Sequence, residues 1–320
     1  MNEIILKIEN LNLGFDSEEK FYQALFDVNL ELTKGKTLSI VGESGCGKTM
    51  TAMSILKLLP KTARITGGKI FYNGENLLEK TYKQMNKIRG REIALIPQDP
   101  MTSLNPLYTI GNQILETLKI HQNLEGKEAE NRAIEALELV QIPNAKNRLN
   151  SYPHEFSGGM KQRAIIAMAL CCNAKIIIAD EPTTALDVTI QAQIMEILKQ
   201  IKREFCTSII LITHDLALVR ENADDIAVMY GGRIVEKAGN DMFFNNPTHP
   251  YSQALLNSIP SKNSQILQPI PGYPPTINQN INGCRFNPRC SRMTEICQTN
   301  VPELEELYQN HFCACFNTKK

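Results

Sequence analysis

Thr37-Leu38-Ser39-Ile40-Val41 reads as a buried strand, and it runs straight into Gly42-Glu43-Ser44-Gly45-Cys46-Gly47-Lys48-Thr49. From Thr49 to Leu59 the pattern turns helical and ends at Pro60. The loop fits G-x-x-x-x-G-K-[ST] in the strand-to-helix setting that this motif requires. Its glycines let the backbone bend so that successive N–H groups face phosphate oxygens, and the helix N-terminus adds positive partial charge. Lys48 can reach the β- and γ-phosphates, and the Thr49 hydroxyl can ligate Mg²⁺.

The chain must supply the rest of such a site. Ile176-Ile177-Ile178-Ala179 and Ser208-Ile209-Ile210-Leu211-Ile212 are continuous apolar runs, which suit strands covered by helices on both faces of a mostly parallel sheet. The first run ends in Asp180-Glu181. Asp180 is then placed to hold the Mg²⁺ shell, and Glu181 to accept a proton from an attacking water. Phe156-Ser157-Gly158-Gly159-Met160 precedes a helical stretch, Lys161 to Cys171. This is either a plain serine N-cap or a second anion-binding helix start. Ile4 to Ile8 reads as a short strand. Phe26, Val28, Leu30 and Leu32 alternate as apolar positions of another. Ala129, Ala133, Leu137 and Val140 place an amphipathic helix over Gly126 to Ile142.

At roughly 150 residues per domain, 320 residues imply about two domains. An apolar content of 42% with 21% charged residues allows a sizeable core. Lys+Arg and Asp+Glu both number 34, and this cancellation removes the bulk electrostatic case for nucleic acid, so no nucleic-acid partner is expected. No run approaches 18 uninterrupted apolar residues, so the chain is not expected to span a membrane. Met1 to Asn10 alternates apolar and charged residues, unlike a signal peptide, which makes the cytosol the default compartment. After about Phe244 the composition shifts towards Pro and Asn (among them Pro260 and Pro269) and reads as a second, loop-rich module.

These motifs together resemble the ATP-binding cassette (ABC) ATPases. Phe156 to Met160 is similar to their LSGGQ signature, with Phe156 for Leu and Met160 for Gln. Gln98 sits at their glutamine loop, Ala185-Leu186-Asp187 matches their D-loop and His214 their switch histidine. The segments Gln98 to Pro106, Asp180 to Gln193 and Pro247-Thr248-His249-Pro250-Tyr251 resemble the oligopeptide/dipeptide importer branch, with nickel importers as near relatives. The resemblance implies an α/β P-loop NTPase of ABC type: a mostly parallel sheet core, an antiparallel β subdomain and a helical subdomain over about 98–165, together spanning 1–250, with a Cys-rich extension over 251–320. It implies an ATP-hydrolysing subunit powering peptide import. Nickel or another small solute is the alternative cargo, and a soluble ABC ATPase the alternative class.

The site residues follow from the same likeness. ATP is expected on Gly42, Glu43, Ser44, Gly45, Cys46, Gly47, Lys48, Thr49 and Met50. Phe15, or else Tyr22, would stack on adenine, with core packing the competing role of each. Ser157, Gly158 and Gly159 would cap the ATP of a facing cassette in trans. Mg²⁺ falls to Thr49, Gln98 and Asp180, and catalysis to Glu181, His214 and Gln98. Cys46, at a helix start, is expected either to have a lowered thiol pKa and nucleotide-protected reactivity or to be a small residue that merely fits. With one phosphate loop and no repeat, the partner cassette must be another polypeptide, a homologous subunit giving a heterodimer, or a second copy. Two membrane permeases and an extracytoplasmic binding protein complete the expected assembly, at the cytoplasmic face of the inner membrane.

Nine cysteines are unevenly spread, with Cys284, Cys290, Cys297, Cys313 and Cys315 crowded into the tail. In a reducing compartment this favours a metal or cluster site over disulfides. Four thiolates can hold zinc or an iron–sulfur cluster, and spacing does not choose between them. The likeness of Gly283 to Cys290 to the importer branch implies a [4Fe–4S] cluster on Cys284, Cys290, Cys297 and Cys315.

Overall fold

A computed structural model describes residues 3–18, 20–184, 186–258 and 270–318. Ala185 of the expected D-loop, with Pro260 and Pro269, lies outside the described residues. The strands in chain order are β1 (Ile4–Asp16), β2 (Phe21–Thr33), β3 (Thr37–Val41), β4 (Ala63–Tyr72), β5 (Glu75–Asn76), β6 (Ile93–Ile96), β7 (Ile176–Asp180), β8 (Ser208–Thr213), β9 (Asp225–Tyr230), β10 (Arg233–Gly239), β11 (Glu305–Tyr308) and β12 (His311–Cys313). The chain divides into two compact units, one of residues 1–33, 37–78 and 213–320, the other of 34–36 and 79–212.

The first unit holds an antiparallel sheet in the order β2-β1-β4-β5. Its inner face is built by alternation, but the alternation is broken on purpose. Leu13 pairs with Leu25 and Leu11 with Val28, so β2 carries one extra residue between these pairs. Asp27 takes the left-handed conformation there, φ 49°. Asn12 fixes the bulge, donating from Nδ2 to Asp27 Oδ1 at 2.8 Å and accepting from Asp27 N at 3.2 Å. Leu25, Val28, Leu30 and Leu32 are therefore the buried set. Phe26, expected from strict alternation to join them, is turned out by the bulge and lies under the guanidinium groups of Arg285 and Arg233.

In the same unit β3 runs parallel to β9, and β9, β10, β12 and β11 continue antiparallel. The sheet is thus mixed rather than mostly parallel, and the tail is not only loops. β12 adds to the edge of β10, with Glu236 opposite Cys313 and Lys237 opposite Phe312. A buried polar network fastens this edge. Glu236, inaccessible to solvent, accepts from the backbone N–H groups of Thr248 (2.8 Å) and His249 (2.9 Å) and lies 2.8 Å from His311 Nε2. His249 in turn caps the helix Pro250–Asn257, its Nδ1 accepting from Tyr251 N at 3.0 Å. Because that nitrogen must stay unprotonated, burial matters: it holds the His249 pKa down to about 4 against the opposing pull of Glu236.

The second unit is a parallel sheet, β6-β7-β8, with helices Ile110–Gln122, Gly126–Leu139, Gly158–Leu170 and Val188–Phe205. β7 and β8 are buried along their whole length, as their unbroken apolar runs require. Helix Val188–Phe205 buries Ile194, Met195, Ile197, Leu198 and Ile201, one face at helical spacing. Among the described residues no helix is long and apolar enough to cross a membrane.

Candidate nucleotide site

The loop after β3 is held by close backbone packing. A Cβ on Gly42 would lie 2.1 Å from the carbonyl oxygen of Met229, so no larger residue fits. Gly232 N donates to Cys46 O at 2.9 Å, tying the loop to the turn between β9 and β10. Gly47 precedes helix Lys48–Leu56 and no side chain caps it, which leaves the first-turn N–H groups for an anion. Thr49 and Met50 lie half-buried in that first turn. Ser44 and Gly45 are exposed at the loop's crest. Lys48 is only 5% exposed, its ammonium donating to Gly42 O (2.7 Å) and Glu43 O (3.0 Å). This cation is pre-placed inside the loop by neutral carbonyl acceptors.

Glu43 is gripped twice. Its backbone N–H donates to Tyr251 Oη at 2.9 Å. Its carboxylate receives both terminal nitrogens of Arg289, at 2.6 and 3.0 Å. Burial lowers the pKa of this guanidinium, but hydrogen bonds to Glu43 and Tyr230 outweigh that and raise it overall. Gly42, Glu43, Arg289 and His214 line one pocket of about 460 Å³ together with Gly272 and Tyr273. His214 is exposed there, beside the loop. The sequence reading missed Arg289 and the Tyr251 hydroxyl. Tyr251 lies in the Pro247–Tyr251 motif, and Arg289 stands next to Cys290 in a segment read only for its thiols.

Cys46 departs from one of its two expected characters. It is 5% exposed, and burial raises its thiol pKa, overcoming the lowering by Lys48 and the helix start. It is a small buried residue, not an activated thiol. Phe15 and Tyr22 are direct partners across the β1–β2 pair and both half-buried, so they share one face of the hairpin.

In the second unit β7 ends in Asp180, 2% exposed. Glu181 follows in the left-handed region, φ 45°, its N–H bonded to Ile212 O at 2.8 Å. That turn aims its carboxylate at two donors, Gln98 Nε2 (3.0 Å) and Thr184 Oγ1 (2.9 Å). Gln98 and Glu181, 83 residues apart, are thus brought together, and Thr184 is a third member not singled out by sequence. Ser157 caps helix Gly158–Leu170, accepting from Met160 N at 3.3 Å, with Ser157 and Gly158 exposed. A Cβ on Gly159 would meet Ile190 at 2.9 Å, so this glycine sets how closely the two helices pack.

The tail thiols lie near one another. Burial raises the Cys284 pKa to about 11, with Cys297, Cys315 and Cys290 adding to it. Cys290, Cys297 and Cys315 also accept hydrogen bonds or lie at that distance from Arg292 N (3.4 Å), Thr294 Oγ1 (3.3 Å) and Asn317 N (3.4 Å) respectively. Yet among the described residues no group of three or more His, Cys, Asp or Glu side chains converges as ion ligands.

Comparison with known proteins gives these features their context. A family model described as ABC transporter matches residues 25–184, and one described as oligopeptide/dipeptide transporter, C-terminal region, matches 235–297. A protein described as a probable peptide ABC transporter ATP-binding protein in Sinorhizobium fredii is 47% identical over 322 residues, 99% of this chain and 96% of its own. The oligopeptide transport ATP-binding protein OppD of Escherichia coli K12 is 45% identical over 98% of this chain and 93% of its own. An ATP-binding cassette solved as a dimer after hydrolysis, with ADP and Pi, matches with a TM-score of 0.66 and 29% identity, over 73% of this chain and 98% of its own. The chain belongs to the ABC transporter family of ATPases. Within it, the matched C-terminal region and the near-full-length relatives set its place among the ATP-binding subunits of oligopeptide/dipeptide transporters.

Proposed function

We propose that this chain is the ATP-hydrolysing subunit that powers import of di- and oligopeptides through an ABC transporter. The carrying observation is that one chain matches both the cassette and the oligopeptide/dipeptide C-terminal region. The relatives reported above are named for peptides, which favours peptide cargo over nickel and a transporter subunit over a soluble ATPase. The loop Gly42 to Thr49 and Met50 binds the phosphates, with Lys48 as the cation and Phe15 or Tyr22 as the platform for the base. Thr49, Gln98 and Asp180 would hold Mg²⁺, which would supply charge neutralisation at the transferred phosphoryl group. Glu181, held by Gln98 and Thr184, orients the attacking water and takes its proton. His214 positions the γ-phosphate.

The chain works with membrane permease subunits. We further assign it a homologous second cassette, whose ATP is capped by Ser157, Gly158 and Gly159, an extracytoplasmic binding protein, and a peripheral position on the cytoplasmic face of the inner membrane. Closing the pair on ATP and opening it after hydrolysis would drive the permeases. The test is reconstitution with the permeases, the homologous cassette and the binding protein in proteoliposomes. Vanadate-sensitive, ATP-dependent uptake of a labelled dipeptide is expected, and uptake of Ni²⁺ alone would transfer the reading to the metal branch.

The tail supports a second reading, a [4Fe–4S] cluster, or else zinc, on Cys284, Cys290, Cys297 and Cys315. Its support is the mutual electrostatic influence of these four thiols and the donors around them. Their present placement does not close on one ion, so no step of the mechanism passes through a cluster. Metal analysis and visible absorbance after anaerobic purification decide between cluster, zinc and free thiols.

A further inference from the structure

Glu43 poses an electrostatic problem. A phosphate loop must receive a polyanion, and here its second residue is a carboxylate 24% exposed at the pocket that the loop lines. Two parts of the molecule answer it, and both lie after residue 250. Tyr251, fully buried and packed on the rings of Tyr230 and Phe286, accepts the Glu43 backbone N–H. Arg289, its side chain 4% exposed, makes the two-pronged ion pair with the carboxylate, and its Nε donates to Pro271 O at 2.7 Å. A fourth contact, from Nη1, reaches Tyr230 Oη at 3.3 Å. All three guanidinium nitrogens donate to a small set of acceptors that join the loop to Tyr230 and to Pro271, next to Gly272 and Tyr273 on the pocket rim.

We propose that Arg289 is a positioning residue for nucleotide binding: it neutralises Glu43 and locks the start of the phosphate loop, making the C-terminal region a structural part of the ATP site. The inference rests on reading Gly42 to Thr49 as the phosphate loop. An ion pair this buried is costly to break from one side, because the partner charge is left without compensation. Loss of Arg289 alone would leave a bare carboxylate facing the incoming phosphates, whereas removing both charges would not.

The experiment is a double-mutant cycle on the full-length chain, with MgATP affinity measured by calorimetry. Arg289→Gln is expected to weaken binding about tenfold or more, and Glu43→Gln in that background to recover most of the loss, to within about threefold of wild type. Arg289→Lys, which keeps charge but loses the fork, should fall between. If Arg289 acts only through its contacts with Pro271 and Tyr230, Glu43→Gln cannot rescue its loss. A folded Arg289→Gln that binds within twofold of wild type, or a loss that Glu43→Gln leaves unrelieved, overturns the proposal. Should Arg289→Gln not fold, the doubly neutral variant decides: it is expected to fold and to bind MgATP within about threefold of wild type, and a double variant that fails to fold or binds about tenfold more weakly overturns the idea. Lys48→Ala separates the underlying reading, since equal MgATP affinity in that variant and wild type would remove the loop, not Arg289, from the argument.

Discussion

At the scale of single residues, the chemistry turns on which side chains are held and by what. Glu181 has two fixed donors on one carboxylate oxygen, which leaves it oriented before any water arrives. Glu181→Gln is expected to lower ATP turnover by roughly 10²–10⁴-fold while MgATP affinity stays within a few-fold, read by phosphate release beside calorimetry. Cys46 gives the opposite lesson. Its position at a helix start suggested an activated thiol, but a 5% exposed sulfur loses more to burial than it gains from the helix and Lys48. Alkylation mapped by mass spectrometry should therefore modify the exposed Cys206 first and Cys46 slowly, with or without ATP. Fast labelling of Cys46 would contradict its burial. Position in a motif was legible from sequence; the local dielectric was not.

Among elements, the strands with unbroken apolar runs and the loop between β3 and its helix were legible, because burial on both faces and a phosphate-binding turn leave few other sequences. What escaped was set by partners distant in sequence. β12 is three residues long and carries a histidine and a cysteine, and it is a strand because β10 offers an edge. β4 contains Gly67-Gly68, which masks it until β1 is placed beside it. The bulge at Asp27 likewise depends on Asn12 across the pair. The helix Pro250–Asn257 carries a pH-dependent cap. His249 protonates near pH 4 when folded but near its ordinary 6.5 when unfolded. The unfolded chain therefore takes up the proton first as pH falls. The stability that depends on a neutral, buried His249 ring is complete above pH 6.5 and declines towards pH 4, by an amount on the order of 3 kcal/mol. Denaturation midpoints across that window should drop more steeply for wild type than for His249→Asn, which keeps an acceptor without the titration.

For the whole molecule, the proposed pairing puts one phosphate loop and one Ser-Gly-Gly helix start on each chain, so that each pocket would be completed by a neighbour. Steady-state hydrolysis by the isolated chain should be slow and rise roughly 10²-fold when the homologous cassette is added, as expected when missing transition-state donors are supplied. Full speed from a monodisperse monomer would contradict the paired arrangement. The contacts of the loop with Tyr251 and Arg289 were not legible from the sequence, since they join positions 208 and 246 residues apart.

The strand pairing of β12 with β10 has a temporal side. The strand β12 leaves the ribosome well after β10, the strand it must join, with all of Asn240 to Asn310 synthesised between them. During synthesis the cassette therefore passes through a stage with an unsealed edge and an unanchored phosphate loop, exposed to mispairing with other nascent chains. A premature stop shortly before His311 would thus yield a chain that is prone to aggregate, although every classical ATPase motif has already been translated.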